Sequence, residues 1–244
     1  MSGAWMRIWA MCKKELRDYR RNRFVVVTMA VMPLVFTVAP MIQLFAIKVN
    51  AASSAFNARI GLSLLYMLII PAIVPSSLSA YAVVGEREQG TLEPVLITPI
   101  GSQEFLFGKA LAAFLPTVAI SYAVFGVFLA AAKIFAQPVV ASAIYSGSHI
   151  WVQLVFTPLL AGWSILVGIA ISTRSADVRT AQQLSVLASL PPLVVVALIT
   201  FNVIHASLAV TIGLAVALLV IDRFGWRAVA ALFDRERLVT GGRG

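Results

Sequence analysis

The 244-residue chain reads as an all-α integral membrane protein: six transmembrane helices preceded by an amphipathic interfacial helix, both termini cytoplasmic. Three observations lead there. The chain is 60% hydrophobic and only 12% charged, with a mean hydropathy of +0.93, whereas soluble domains run at about 45–50% apolar and about 25% charged. So little charge cannot cover a globule in water. The apolar residues fall in six long runs, and 16 of the 19 Lys and Arg lie in the segments on one side of those runs.

The first element is the basic N-terminal stretch. Trp5, Ile8, Trp9, Cys12, Leu16 and Tyr19 recur at helical spacing and share one face. Lys13, Lys14, Arg17, Arg20 and Arg21 lie largely off that stripe. An apolar face anchored by Trp5 and Trp9, flanked by cations such as Arg17 and Arg20, describes a helix lying in the membrane interface. It reads either as a plain positive-inside anchor or as an elbow helix that also packs on a partner. Glu15 and Asp18 in this stretch, with no Ala-x-Ala site after a short apolar core, argue against a cleavable signal. Cys12 is the single cysteine; it forms no internal disulfide and matches no metal-ligand spacing.

The six runs are 24–47, 60–84, 110–132, 150–171, 184–201 and 203–221. Each approaches or exceeds the 20 or so apolar residues that, at about 1.5 Å apiece, cross a hydrocarbon core about 30 Å thick. They are continuous rather than alternating, which argues against barrel strands. The last two form one apolar stretch, interrupted at Phe201-Asn202 and His205-Ala206-Ser207, and read as a tight hairpin. Prolines fall inside five of the runs, as ordinary kinks or as hinges.

The charges orient these spans. Segments 1–23, 85–109, 172–183 and 222–244 hold 16 Lys and Arg, against Lys48, Arg59 and Lys133 opposite. By the positive-inside rule both ends face the cytoplasm of a plasma (inner) membrane. All ten acidic residues lie on that same side. The net charge of +9 is thereby a matter of topology rather than of nucleic-acid binding. No connecting segment is long enough for a second domain. The chain is one transmembrane domain, 1–244, comprising an interfacial helix (1–23), two spans (24–84), a cytoplasmic loop (85–101), four spans (102–221) and a tail (222–244).

Little in it suggests chemistry. There is no metal-ligand cluster, and Ser63 and Ser164 lack the surroundings of a nucleophile. The nearest approach to a P-loop, Gly101 to Lys109, has six residues between its glycines and Ala110 where a hydroxyl is needed. Lys109 and Asp222 sit at span ends, where a side chain reaches the interface; no ionisable residue lies at a span centre. That weighs against an ion-coupled carrier.

The loop from Gly85 to Pro99 stands out. Glu86, Glu88 and Glu93 crowd into eight residues, and Leu92, Val95 and Leu96 share a face of a short helix bracketed by Gly90 and Pro99. As physics alone it is equally a solvated turn or a docking helix. The run Glu86-Arg87-Glu88-Gln89-Gly90-Thr91-Leu92-Glu93, followed by Leu96-Ile97-Thr98-Pro99, resembles the loop after the second span in the type-2 family of ABC exporter permeases. The resemblance takes in the N-terminal helix, the six spans and the tail Leu232-Phe233-Asp234-Arg235-Glu236-Arg237-Leu238.

It implies that the loop is a coupling helix docking into a separate ATP-binding subunit through Glu86, Arg87, Glu88, Gly90, Thr91, Leu92 and Glu93. It further implies two such subunits carrying ATP and Mg, a second permease, contact with membrane lipid, no nucleic acid, and no cofactor or catalytic residue in this chain. The cargo, with no buried charge to meet it, is expected to be apolar or amphipathic: a drug, a lipid or a hydrophobic peptide. The alternatives are an ion-coupled carrier or channel working without an ATPase, and a non-transporting scaffold. One departure concerns the outer side. Many relatives carry re-entrant helices between spans five and six, for which 184–221 leaves almost no room; either that gate is reduced or span five breaks at Pro191-Pro192.

Overall fold

The structure, a computed structural model, describes residues 3–46, 53–92, 100–201, 203–204 and 207–232. Among these residues all regular structure is helical. The elements are α1 (Gly3–Arg21), α2 (Arg23–Ala46), α3 (Ser53–Ser79), α4 (Val84–Glu88), α5 (Ser102–Phe135), α6 (Pro138–Ile144), α7 (Gly147–Arg174), α8 (Val178–Thr200) and α9 (Leu208–Leu232). Six stretches are long and apolar enough to cross a membrane: α2, α3 continued through α4, α5, α7, α8 and α9.

Every expected run lies largely within one of these helices, but the ends differ. Helix α5 begins at Ser102, well before residue 110, and α9 spans Leu208–Leu232 instead of 203–221. The reason is physical: charged residues end a hydropathy run, yet Glu, Lys and Arg are good helix formers. Glu104 reaches back to the start of the helix, its carboxylate accepting from the Gly101 backbone N–H at 3.0 Å. Helix α8 runs unbroken through Pro191 and Pro192, so span five does not break there. Helix α6 was not expected. Pro138 occupies its first turn, where a missing N–H costs nothing. Its Val140 and Ile144 are fully buried against Phe125, Phe128 and Ala132.

Helix α3 is the centre of the bundle, buried over 78% of its most apolar stretch, with α2, α5, α7 and α8 packed around it. It runs parallel to α7, and three side chains of α7 donate to carbonyls along it or just past its end. Gln153 Nε2 reaches Leu64 O at 2.6 Å, Ser164 Oγ reaches Ala72 O at 2.6 Å, and Ser172 Oγ reaches Ala80 O at 2.6 Å. Small residues let the helices approach this closely. A Cβ built on Gly168 would stand 2.0 Å from Ser79 Oγ.

Helices α2 and α9 lie at the edge. Their outward faces carry Val31, Leu34, Val38 and Phe45, and Leu208, Ile212, Val216 and Leu219, all exposed, as contact with hydrocarbon allows. Helix α1 packs on α5 and buries Met11, Cys12 and Glu15. Trp5 and Trp9 stay 41% and 40% exposed. A single residue, Asn22, joins α1 to α2.

Candidate functional site

The site lies where α3 ends. Its last turn is followed by a turn at residues 80–83 before the chain re-enters a helix at α4. Helix breaks strand backbone N–H groups. Here Ser172 Oγ accepts from both Val83 N and Val84 N at 3.0 Å, while its own hydrogen goes to Ala80 O. One serine of α7 thus completes the break. Gly90, the single described glycine with positive φ (66°), then reverses the chain after α4.

Within α4, Glu86 turns inward. Its Oε1 lies 2.7 Å from Lys109 Nζ of α5 and 3.4 Å from Lys14 Nζ of α1, and its other oxygen accepts from the Thr91 hydroxyl. Glu15 Oε1 of α1 lies 2.9 Å from the same Lys109 Nζ. Lys109 is 4% exposed, Glu15 6% and Glu86 8%. The cluster of two carboxylates and two ammonium groups carries no net charge. Burying an unpaired lysine here would be expensive, and the two acids offset that cost only together. Gly108 makes the approach possible, because a Cβ there would sit 2.7 Å from Met11 Cβ and 3.1 Å from Ile8 O.

A second tie fastens α1 to the start of α5. Arg7 donates to both oxygens of Glu104, Nε to Oε2 at 2.8 Å and Nη2 to Oε1 at 2.5 Å, a bidentate fork.

The opposite side of α4 faces the link between α7 and α8. Arg87 donates to the carbonyls of Thr173 and Ser175, each at 3.3 Å. Glu88 Oε1 accepts from Val178 N, the first amide of α8, at 2.9 Å. Asp177 caps the same terminus by accepting from Thr180 N at 2.8 Å, and that backbone hydrogen bond holds its carboxyl below the ordinary value. Five helices, α1, α4, α5, α7 and α8, therefore converge on one short loop.

The docking candidates divide accordingly. Glu86 is buried and faces Lys109. Arg87 and Glu88 are exposed but engaged with α7 and α8. Leu92 is buried in the same apolar cluster as Met11, Val83 and Phe105. Gln89, Gly90 and Thr91 form the exposed tip. Glu93 and residues 94–99, with the tail from 233 onward, lie outside the described residues. Of the interfacial candidates, Trp5, Trp9, Arg17 and Arg20 are all exposed.

Two expectations are corrected. Lys109 does not reach an interface; it is sealed inside by Glu15 and Glu86. Asp222 does not sit at a span end but within α9, against a cavity of about 390 Å³ that includes Phe107, Gly162 and Trp226. Among the described residues its Oδ1 is buried without a hydrogen-bond partner. Sequence reasoning also missed Glu15 and the Arg7–Glu104 fork. A signal existed for Lys109, the only cation between Arg87 and Lys133. Glu15 gave less, since an acid among basic residues is normally a surface charge.

Compared with known families, residues 9–221 match the family model described as ABC-2 family transporter protein. No curated protein matches the chain.

Proposed function

The chain belongs to the ABC-2 family of transporter proteins, and from that membership we propose that it is the permease of an exporter whose ATP is hydrolysed by two separate ATP-binding subunits. It works beside a second permease in the plasma membrane, with both ends in the cytoplasm, and its cargo is apolar or amphipathic. The observation that carries this reading is the loop at α4, tied inward by Glu86 to α1 and α5 and outward by Arg87 and Glu88 to α7 and α8. A load applied at its exposed tip, Gln89-Gly90-Thr91, reaches four other helices through hydrogen bonds and ion pairs instead of being lost in a slack turn.

In this mechanism the ATP-binding subunits close on nucleotide and hold the tip differently in their open and closed states, which a population shift requires. Glu86 acts inside the permease as a positioning residue, passing the displacement to Lys109, while the tip and Glu93 meet the partner. Membership of the family supports a membrane subunit with an ATP-binding partner; the docking residues, direction and cargo are our reading.

One observation favours the rival, an ion-coupled carrier: Asp222 presents an unpartnered oxygen within a span, where such carriers place their coupling group. A pull-down of the tagged chain in gentle detergent from its native host separates the two. We expect a stoichiometric ATP-binding protein that is lost in the tip variant Gln89→Arg/Thr91→Arg and retained by Gln137→Arg on the far side. A chain that purifies without any ATPase, and transports in response to an ion gradient, overturns the exporter reading.

A further inference from the structure

Cations line one flank of α1. Lys13, Arg17, Arg20 and Arg21, with Leu16, border an open cavity of about 560 Å³. Among the described residues no carboxylate pairs with Arg17, Arg20 or Arg21, and the intervening Asp18 lies 3.8 Å from Lys14 instead. So many uncompensated cations at one spot ask for an anion. They also lie at a defined depth, because one residue beyond Arg21 the chain enters α2, the first span.

Leu16 and Arg20 also border a second cavity, about 470 Å³, whose walls are otherwise apolar except for the Tyr19 hydroxyl. It follows α2 along Met29, Pro33 and Leu34 and α5 along Pro116, Ile120 and Val124. The two helices leave the charged end in the same direction, so the groove descends from the cations into the bilayer. From Val26 to Leu34 it covers nine residues of helix, a rise of about 12 Å, most of the hydrocarbon depth of one leaflet. A charged mouth on an apolar groove of that length fits one amphipathic anion.

We propose that the groove between α1, α2 and α5 holds an anionic phospholipid of the adjoining leaflet, its phosphate among Lys13, Arg17, Arg20 and Arg21 and one acyl chain against Pro33, Leu34, Pro116 and Ile120. The lipid fills the gap beneath α1 and fixes that helix at headgroup depth. It is a resident of the structure and not the exported cargo. The site does not depend on whether an ATPase drives the protein.

The test is native mass spectrometry of the full chain titrated with phosphatidylglycerol, phosphatidylcholine and glycerol 3-phosphate. One phosphatidylglycerol per chain is expected to bind in preference to phosphatidylcholine. Arg17→Gln/Arg20→Gln should weaken it by roughly thirtyfold, the effect of two charges at a lipid surface. Ala30→Trp, which plugs the groove from an exposed position, should remove it, while Lys133→Gln on the far side should leave it intact. Equal retention of the two lipids overturns the proposal. So does displacement by glycerol 3-phosphate as readily as by phosphatidylglycerol, which would mark a free-phosphate site. Disulfide dimers formed by Ala30→Cys would also overturn it, because a second copy would then cover the groove.

Discussion

Cys12 reports on how α1 is seated. Its side chain is fully buried, and that burial, reinforced by the Glu15 carboxylate, pushes its thiol up from the ordinary value of 9.0. Thiolate is the reactive form, so at any pH below the raised value less of it is present than at a free cysteine. We expect a small maleimide to leave Cys12 unmodified in the folded protein at pH 7, to react faster as pH rises, and to label fully in SDS. Complete labelling of the native protein at pH 7 would mean that α1 does not rest on α5. Among the residues that matter most, Lys109 shows why a sequence misleads. A lysine at the end of an apolar run is normally free to extend toward water. Only the approach of Gly108 to Met11, and two acids distant in sequence, make burial the better outcome here.

At the scale of elements, the α3–α7 pair depends on a glycine. Gly168→Ala places a methyl group against Ser79 Oγ and within 3.1 Å of Ser76 O, so the helices must part and the Ser164 and Ser172 hydrogen bonds lengthen. Overpacking of this kind costs about 1–3 kcal/mol. Thermal unfolding in detergent should show a lowered midpoint for Gly168→Ala. Gly213→Ala, with nothing within 4 Å of its new Cβ, should leave it unchanged or slightly raised. Identical midpoints for both variants would count against close packing at Gly168. The spans themselves were legible because a bilayer imposes one requirement, length of apolar sequence, that hydropathy measures directly. Their ends were not, since the start at Ser102 is set by capping, and Asp222, Arg223 and Arg227 end the hydropathy run without ending helix α9. Helix α6 was illegible for another reason: seven residues carry too little periodicity, and only Val140 and Ile144 meeting Phe128 makes it worth forming.

For the whole molecule, the neutral cluster of Glu15, Lys14, Glu86 and Lys109 joins three elements far apart in sequence. Lys109→Met leaves two buried carboxylates sharing only the half-exposed Lys14 ammonium, 3.5 and 3.4 Å away, and breaking a buried pair in this way costs about 3–5 kcal/mol. Replacing all three buried members, as Glu15→Met/Glu86→Met/Lys109→Met, removes the unpaired charge and should restore most of that loss. Denaturant unfolding of the two variants checks this, and a triple variant no more stable than Lys109→Met would show that the charges are not what the single change exposes. The loop motif was legible as a string, but its division into an inward half and an outward tip was not. Glu86 and Glu88 look alike in one dimension, and only the hydrogen bonds offered by Lys109 and by the Val178 amide tell them apart.

Asn22 carries a last consequence. The hydrogen bonds from Asn22 N to Asp18 O and from Val26 N to Asn22 O cross the junction, so helical bonding barely lapses between α1 and α2. With no free length of chain there, the two helices act as coupled levers joined at Asn22. Because Glu15 and Arg7 fasten the outer arm to α5, tilting that arm must turn the foot of the first span, and at that foot begins the groove between α2 and α5.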